Sequence, residues 1–353
     1  MEAYINGIGI ISAQHTFRAT GFLNEVVKIN GNSLRCIEPS YKEFLDPIQA
    51  RRMGRVVKMS MAASATALKD SGIQMPDAII TGTSMGCVEA TEKFLVGMIE
   101  NEERFLTPIS FMQSTHNTVA AQIALQLKCY NYNFTYVHRG FAFESALLDA
   151  MLLLEEGSAK NVLIGSHEEV TERNFKVYDR VGAWKKPEEG SVDLLSSDST
   201  GSIAGEGVAF FALSNEANST SYAKLQGVKT IYKPTDSKGV ELRTLEFLNE
   251  KGLNPDAIDV VVYGINGDVN EDKKYRDLMN TSFKNNTSVY FKHLCGEYPT
   301  SGSFAVWLSA MLLKIQSIPE EIIITKKQTG VIKNILVYNA YKDNHAIFLL
   351  SNL

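Results

Sequence analysis

What most constrains this chain is an alternation: short β-rich runs, several of them leading into glycine turns, are interleaved with stretches of helical periodicity from one end to the other. A sheet whose strands are separated by helices can bury both faces, so this order predicts an α/β layered fold. Residues 4–11 read as a glycine-containing strand, and Asp46-Pro47 opens a long helix, with a capping Asp and a first-turn Pro, that Gly72 closes. Residues 78–81 form a short apolar strand running into Gly82-Thr83-Ser84-Met85-Gly86 and a helix over 88–99. A helix over 117–127, a strand over 133–137 and a helix over 141–156 follow, the last with Leu147, Leu148, Met151, Leu152 and Leu154 at helical spacing. Strands 161–165 and 208–213 complete a first half, and the boundary falls near residue 216, giving halves 1–216 and 217–353. The second half repeats the theme: strand 224–231, helix 240–250, strand 260–263, helices 272–283 and 303–315, and strands 335–338 and 346–350.

Composition removes several classes of function. With 35 Lys+Arg against 40 Asp+Glu, a net charge of -5 and no blocks of one sign, nothing favours nucleic acid or an anionic membrane. Cys36, Cys87, Cys129 and Cys295 are far apart, which argues for a reducing compartment and against a zinc or redox centre. His15, His167 and His345 have no metal-ligand spacing, so no metal is expected. The N-terminal residues lack a secretory pattern, and the richest apolar stretch, 304–315, falls short of the ~20 residues a membrane helix needs. A cytoplasmic protein is the expectation. The turn at 82–86 has neither a P-loop ending nor a dinucleotide fingerprint, so no nucleotide cofactor is expected. The polar stretch 187–199 is the expected exposed loop of the first half.

The ordered turns resemble the β-ketoacyl synthase branch of the thiolase fold over nearly the whole chain. Gly7-Ile8-Gly9-Ile10-Ile11-Ser12 resembles that family's opening strand, Gly82 to Gly86 its Gly-Thr-Gly turn, and Asp198 to Gly207 its Asp-x-x-Gly-x-x-x-Gly-x-Gly segment. The resemblance implies two similar halves, each with a five-stranded sheet, stacked into a five-layered αβαβα sandwich that dimerises through an edge strand of the first half. It also implies a cysteine nucleophile at a strand-to-helix turn and two histidines that stabilise an enolate.

None of the three stands here. The cysteine's place falls on Gly140, in Val137-His138-Arg139-Gly140-Phe141, where glycine tolerates the strained dihedrals such a turn requires. The first histidine's place falls at Gly264, with Asn266 nearby, and the second falls on Glu297 in Lys292-His293-Leu294-Cys295-Gly296-Glu297. A carboxylate accepts but does not donate, so it is the wrong group beside a developing enolate. An ion pair of Glu297 with Lys292 or Arg139 is expected. The family's glycine-rich gating turn is also missing from Tyr338-Asn339-Ala340-Tyr341-Lys342-Asp343-Asn344.

The family includes chain-length factors, degenerate subunits that pair with an active ketosynthase, and this chain resembles those of aryl polyene, flexirubin and dialkylresorcinol pathways. The resemblance implies a ketosynthase partner in a heterodimer, or a homodimer, together with an acyl carrier protein, and no cofactor. It places Phe111, Met112, His116, Phe134 and Tyr136 at the partner interface and acyl tunnel. The alternative is a different acyl-transfer, hydrolytic or condensing activity on the same scaffold, using Glu297, His138 or Cys295. Cys295 and Cys87 read first as small buried apolar groups, and His138 and Arg139 as makers of local hydrogen bonds.

Overall fold

The computed structural model describes residues 2–19, 25–189, 193–327 and 330–353. Its strands are β1 (Ala3–Ile11), β2 (Ala78–Gly82), β3 (Tyr132–Tyr136), β4 (Asn161–Glu168), β5 (Gly207–Ser214), β6 (Ala223–Tyr232), β7 (Val260–Tyr263), β8 (Thr287–Tyr290), β9 (Ile323–Thr325), β10 (Asn334–Tyr341) and β11 (Asn344–Ser351). The helices are α1 (Pro47–Ala50), α2 (Arg55–Ser71), α3 (Val88–Glu100), α4 (Pro108–Ser114), α5 (Thr118–Leu127), α6 (Ala142–Glu155), α7 (Glu172–Arg180), α8 (Ser237–Glu250), α9 (Lys273–Asn280), α10 (Lys292–Cys295) and α11 (Gly302–Ile315).

The strand order is β3-β2-β4-β5-β1-β6-β11-β10-β7-β8-β9, and it contains one arrangement twice. In the first, β2 runs parallel to β3 and β4, while β4–β5 and β5–β1 are antiparallel. In the second, β7 runs parallel to β8 and β10, while β10–β11 and β11–β6 are antiparallel. The two five-stranded units meet where Ala3, Ile5 and the residue between them pair with Ala223 to Leu225.

Period-two alternation sorts the apolar residues into layers. On β2, β4, β5, β7, β10 and β11 the residues Ile80, Ile164, Phe211, Val262, Val337 and Phe348 face a central core, which they share with Phe143 and Leu147 of α6 and Phe304 and Leu308 of α11. Their neighbours Ile79, Leu163 and Phe210 face an outer core with α2 and α5. Val261, Leu336 and Ile347 face the opposite outer core, with Val240 and Phe247 of α8 and Tyr275 of α9. The sequence of layers is therefore helix, sheet, helix, sheet, helix, as the resemblance implies.

The layers approach so closely that two glycines of β1 are obligatory. A Cβ at Gly9 would lie 1.9 Å from the Ala63 carbonyl oxygen of α2, and one at Gly7 would lie 2.3 Å from that of Ala67.

Several elements differ from the sequence expectation. The helix expected from Asp46 to Gly72 is two: α1 is a single turn, and Gly54, extended at φ -61° and ψ 161°, interrupts the chain before α2, whose end Gly72 does cap at φ 75°. The helix expected over 272–283 ends at Asn280, and α4, α7, β8, α10 and β9 were not foreseen because each is short. In the expected loop 187–199, residues 187–189 form a 3-10 turn, Leu194 is buried and residues 190–192 lie outside the described residues. Among the described residues no helix is long and apolar enough to cross a membrane.

Gly9→Ala should cost at least about 3 kcal/mol, because the new methyl meets backbone and no side chain can yield. Gly54→Ala, which meets nothing within 4 Å, should be nearly neutral. Urea denaturation of the two variants separates these outcomes.

Candidate functional site

The three positions that the motifs suggest as places of the family's reacting groups come from three different elements. Gly140 lies in the 3-10 turn Arg139–Phe141 between β3 and α6. The left-handed residue of that turn is Arg139, at φ 49°, not Gly140, so dihedral freedom does not explain the glycine. Space does. A Cβ at 140 would lie 3.0 Å from the Asn344 Cβ and 3.1 Å from the Tyr341 Cβ, in the hairpin that joins β10 to β11.

Gly264 follows β7, and a Cβ there would lie 2.5 Å from the Asn339 Oδ1 and 2.8 Å from the Tyr275 hydroxyl. The Tyr275 hydroxyl is itself fixed: it accepts from the Ala340 N–H at 2.9 Å and donates to the Ala340 carbonyl at 3.3 Å.

Glu297 is buried and pairs with Lys292, not with Arg139. Its Oε2 accepts from the Lys292 Nζ at 2.6 Å and from the Asn266 Nδ2 at 2.6 Å. Lys292 also donates to the Ala340 carbonyl at 3.2 Å. Asn266 is held in turn, its backbone N–H and that of Gly267 both donating to Asp272, whose carboxyl burial raises to about 6. The Glu297 Oε1 and the Asn339 Oδ1 have no hydrogen-bond partner.

The candidate thiols are buried and held in the protonated form. Cys295 is fully buried and desolvation pushes its thiol well up, while Cys87 is pushed up to about 12 by desolvation and by Glu169. Both are the buried apolar groups expected from sequence. His138 is exposed, its Nδ1 3.1 Å from the Ser145 hydroxyl and its ring edge-on to Phe141 at 5.9 Å.

Between Glu297, Glu168, Tyr178, Trp184, Tyr298 and Tyr341 remains a cavity of about 30 Å³. A water needs at least roughly 10–15 Å³ of such volume, so this space holds a water or two and no acyl thioester.

The expected interface residues lie elsewhere and are open. Phe111 and Met112 on α4 are 55% and 67% exposed, and Phe134 on the edge strand β3 is 46% exposed. Tyr132, Phe134 and Tyr136 form a row with centroid spacings of 6.2 and 4.9 Å. His116 is also exposed and covers Gly86, where a Cβ would lie 2.9 Å from its ring.

Sequence reasoning missed Tyr341, Asn339 and Tyr275 as the groups packed against Gly140 and Gly264. The one available signal was the bulk of segment 338–344, where the family has glycine. It also missed Glu144, four residues past Gly140. This side chain is fully buried, neither carboxyl oxygen has a partner, and desolvation raises it to about 8.

A known family model matches part of this sequence, and solved structures share the whole fold. Residues 34–196 match the family model described as Beta-ketoacyl synthase, N-terminal domain. A β-ketoacyl synthase from Burkholderia phymatum superposes with a TM-score of 0.79 at 16% identity, covering 100% of this chain and 99% of that one. The ishigamide ketosynthase/chain length factor gives 0.77 at 16% identity, covering 100% and 99%. A ketosynthase in complex with its chain length factor from Xenorhabdus doucetiae gives 0.77 at 15% identity, covering 100% and 98%. No curated protein matches the chain in sequence. The resemblance drawn from the motifs therefore holds: the chain is β-ketoacyl-synthase-like and has the thiolase-like fold.

Lys292→Met should destabilise the protein by about 3–5 kcal/mol, because it leaves a buried carboxylate without its cation. Lys292→Met combined with Glu297→Leu should recover most of that loss. Chemical denaturation of the single and double variants checks both values. Glu144→Gln should be neutral at pH 4 and stabilising at pH 9: the folded carboxyl titrates near 8 against about 4.5 unfolded, so the wild type's stability falls as pH rises from 4.5 and levels off above 8. Melting temperatures of the variant and the wild type at the two pH values test this.

Proposed function

We propose that this chain is a non-catalytic synthase-fold subunit, acting in the manner of a chain-length factor beside an active ketosynthase. Its two halves are 1–216 and 217–353, it works in the cytoplasm with substrates delivered on an acyl carrier protein, and polyene-type polyketide or fatty-acid-like assembly is its setting. The observation that carries this reading is packing. Gly140 lies under Tyr341 and Asn344, Gly264 lies under Asn339 and Tyr275, and Glu297 is committed to Lys292 and Asn266. Claisen condensation needs a thiolate to carry the acyl chain and donors to stabilise the enolate oxygen. Here the first position has no side chain, and the third offers an acceptor.

The partner surface has its own physical support. β3 is the outer strand of the sheet, so one row of its backbone groups has no strand neighbour within the chain, and its aromatic row continues the same exposed face. Covering it with a second synthase-fold subunit, this chain's own copy in isolation or a ketosynthase in the cell, removes both liabilities. Phe111 and Met112 then stand as the bulk that limits the length of chain a partner's tunnel admits.

The test is mass spectrometry of the purified chain with acyl- and malonyl-carrier protein, alone and with the ketosynthase encoded beside it. The expected result is no acylation of this chain and no carbon dioxide release when it is alone, product only with the partner, and a longer product with Phe111→Ala or Met112→Ala. Gly140→Cys should not restore activity to the chain alone. Acylation of the wild-type chain, or product from it without a partner, would overturn the reading.

A further inference from the structure

The small cavity beside Glu297 is lined by three carboxyl side chains, Glu168, Glu169 and Glu297, and walled by the rings of Tyr178, Trp184, Tyr298 and Tyr341. All three glutamates are buried, at 3%, 5% and 6% exposure. The Tyr341 hydroxyl faces Glu168, Glu297 and Tyr178, and Tyr298 faces Glu168, so carboxyls and rings surround one space.

The negative charges here are met unequally. Glu297 engages Lys292 and Asn266 through its Oε2, and its Oε1 has no partner. Glu169 accepts from the Glu89 N–H at 3.0 Å and lies near Arg55, which already bonds Glu206 and Glu38. Among the described residues no cationic side chain pairs with Glu168. Yet Glu168 is bonded as an anion: its Oε1 accepts from both the Ser84 backbone N–H and the Thr83 hydroxyl, donors that favour the ionised carboxylate. Burial opposes that charge unless a counter-charge is close. A cation in the adjoining cavity meets both demands and supplies the missing partner of the Glu297 Oε1.

Size and donor set select the cation. A cavity of about 30 Å³ admits a particle the size of a water and excludes an organic ammonium. Among the described residues no group of three or more His, Cys, Asp or Glu side chains could hold a metal ion, so the many-carboxylate cage of a calcium-type site is missing. Aromatic faces beside a carboxylate suit a singly charged ion, held by oxygen on one side and by ring quadrupoles on the other.

We propose that this cavity binds a monovalent cation of the size of potassium or ammonium, with Glu168 as its counter-charge and the Glu297 Oε1 as a further ligand. Lys292 and the ion then engage different oxygens of Glu297. The site does not depend on whether the chain is catalytic.

Urea denaturation in potassium, ammonium and choline chloride at equal ionic strength tests it, choline being too large for the cavity. Stability should be higher in potassium or ammonium than in choline. Above saturation the folding equilibrium constant should grow about tenfold for each tenfold rise in the bound ion. The salt that acts at the lower concentration identifies the occupant. Crystals soaked in thallium(I) acetate should show an anomalous peak in the cavity. Glu168→Gln should abolish both the salt dependence and the peak, and Glu144→Gln, whose carboxyl lies outside the cavity, should leave them unchanged. Equal stability in all three salts, no peak in the cavity, or a salt dependence that survives Glu168→Gln would overturn the proposal. The wild-type salt series and anomalous map decide the matter if Glu168→Gln fails to fold.

Discussion

Two backbones cross between the halves of this protein with no side chain between them, and the arrangement of the site follows from that crossing. A Cβ at Gly205 would lie 2.2 Å from the Cys295 carbonyl oxygen, and one at Gly296, itself at φ 77°, would lie 2.5 Å from the Gly205 Cα. Across the crossing the Glu297 N–H donates to the Ile203 carbonyl at 2.7 Å, and the Gly205 N–H donates to the Glu297 carbonyl at 3.0 Å. The next residue, Glu206, is completely buried and fixes Arg55, the Cys36 N–H and the Val170 N–H. One short segment thus locks the second half's Glu297 against the first half and also gathers the loops around α2. Moving either strand by an ångström would break backbone hydrogen bonds and a buried ion pair together.

The same region shows how a polar site can be rebuilt without leaving a void. Lys292 has nearly no solvent access, and a lone ammonium there would be costly; Glu297 and the Ala340 carbonyl satisfy it, and Asn266 donates to the same Glu297 oxygen. Tyr275 bonds to the Ala340 backbone and Tyr338 to the His345 Nδ1 at 2.8 Å. Groups that remain unsatisfied include the Tyr263 hydroxyl, the Asn339 Oδ1 and the Glu297 Oε1, the last beside a cavity large enough for water.

Much of the fold was legible because the signal is periodic. Strands such as 260–263 and 208–213 are apolar on both faces, and Gly72 marks the end of a helix, so the layered order could be read from residue type alone. The break before α2 was not legible, because Gly54 inside an otherwise helical pattern lowers helix propensity by only about 1 kcal/mol and does not announce a turn. β8 is as short as β7 but opens on Thr287 and Ser288, so no apolar run marks it. At the site, an ion pair of Glu297 with Lys292 or Arg139 could be read from the sequence, and only the structure chooses Lys292. The reason for Gly140 could not, because it lies in Tyr341 and Asn344, some 200 residues away, and sequence order carries no trace of that contact.

That contact also shapes the paths this sequence can take. A cysteine introduced at 140 meets the hairpin at 341–344, and a histidine introduced at 264 meets Asn339 and Tyr275, so each requires its neighbours to shift. Smaller neighbours without the new side chains would leave cavities, and these destabilise the protein in their turn. Position 140 and the hairpin at 341–344 are thus coupled in volume, so a change of size at one is felt at the other.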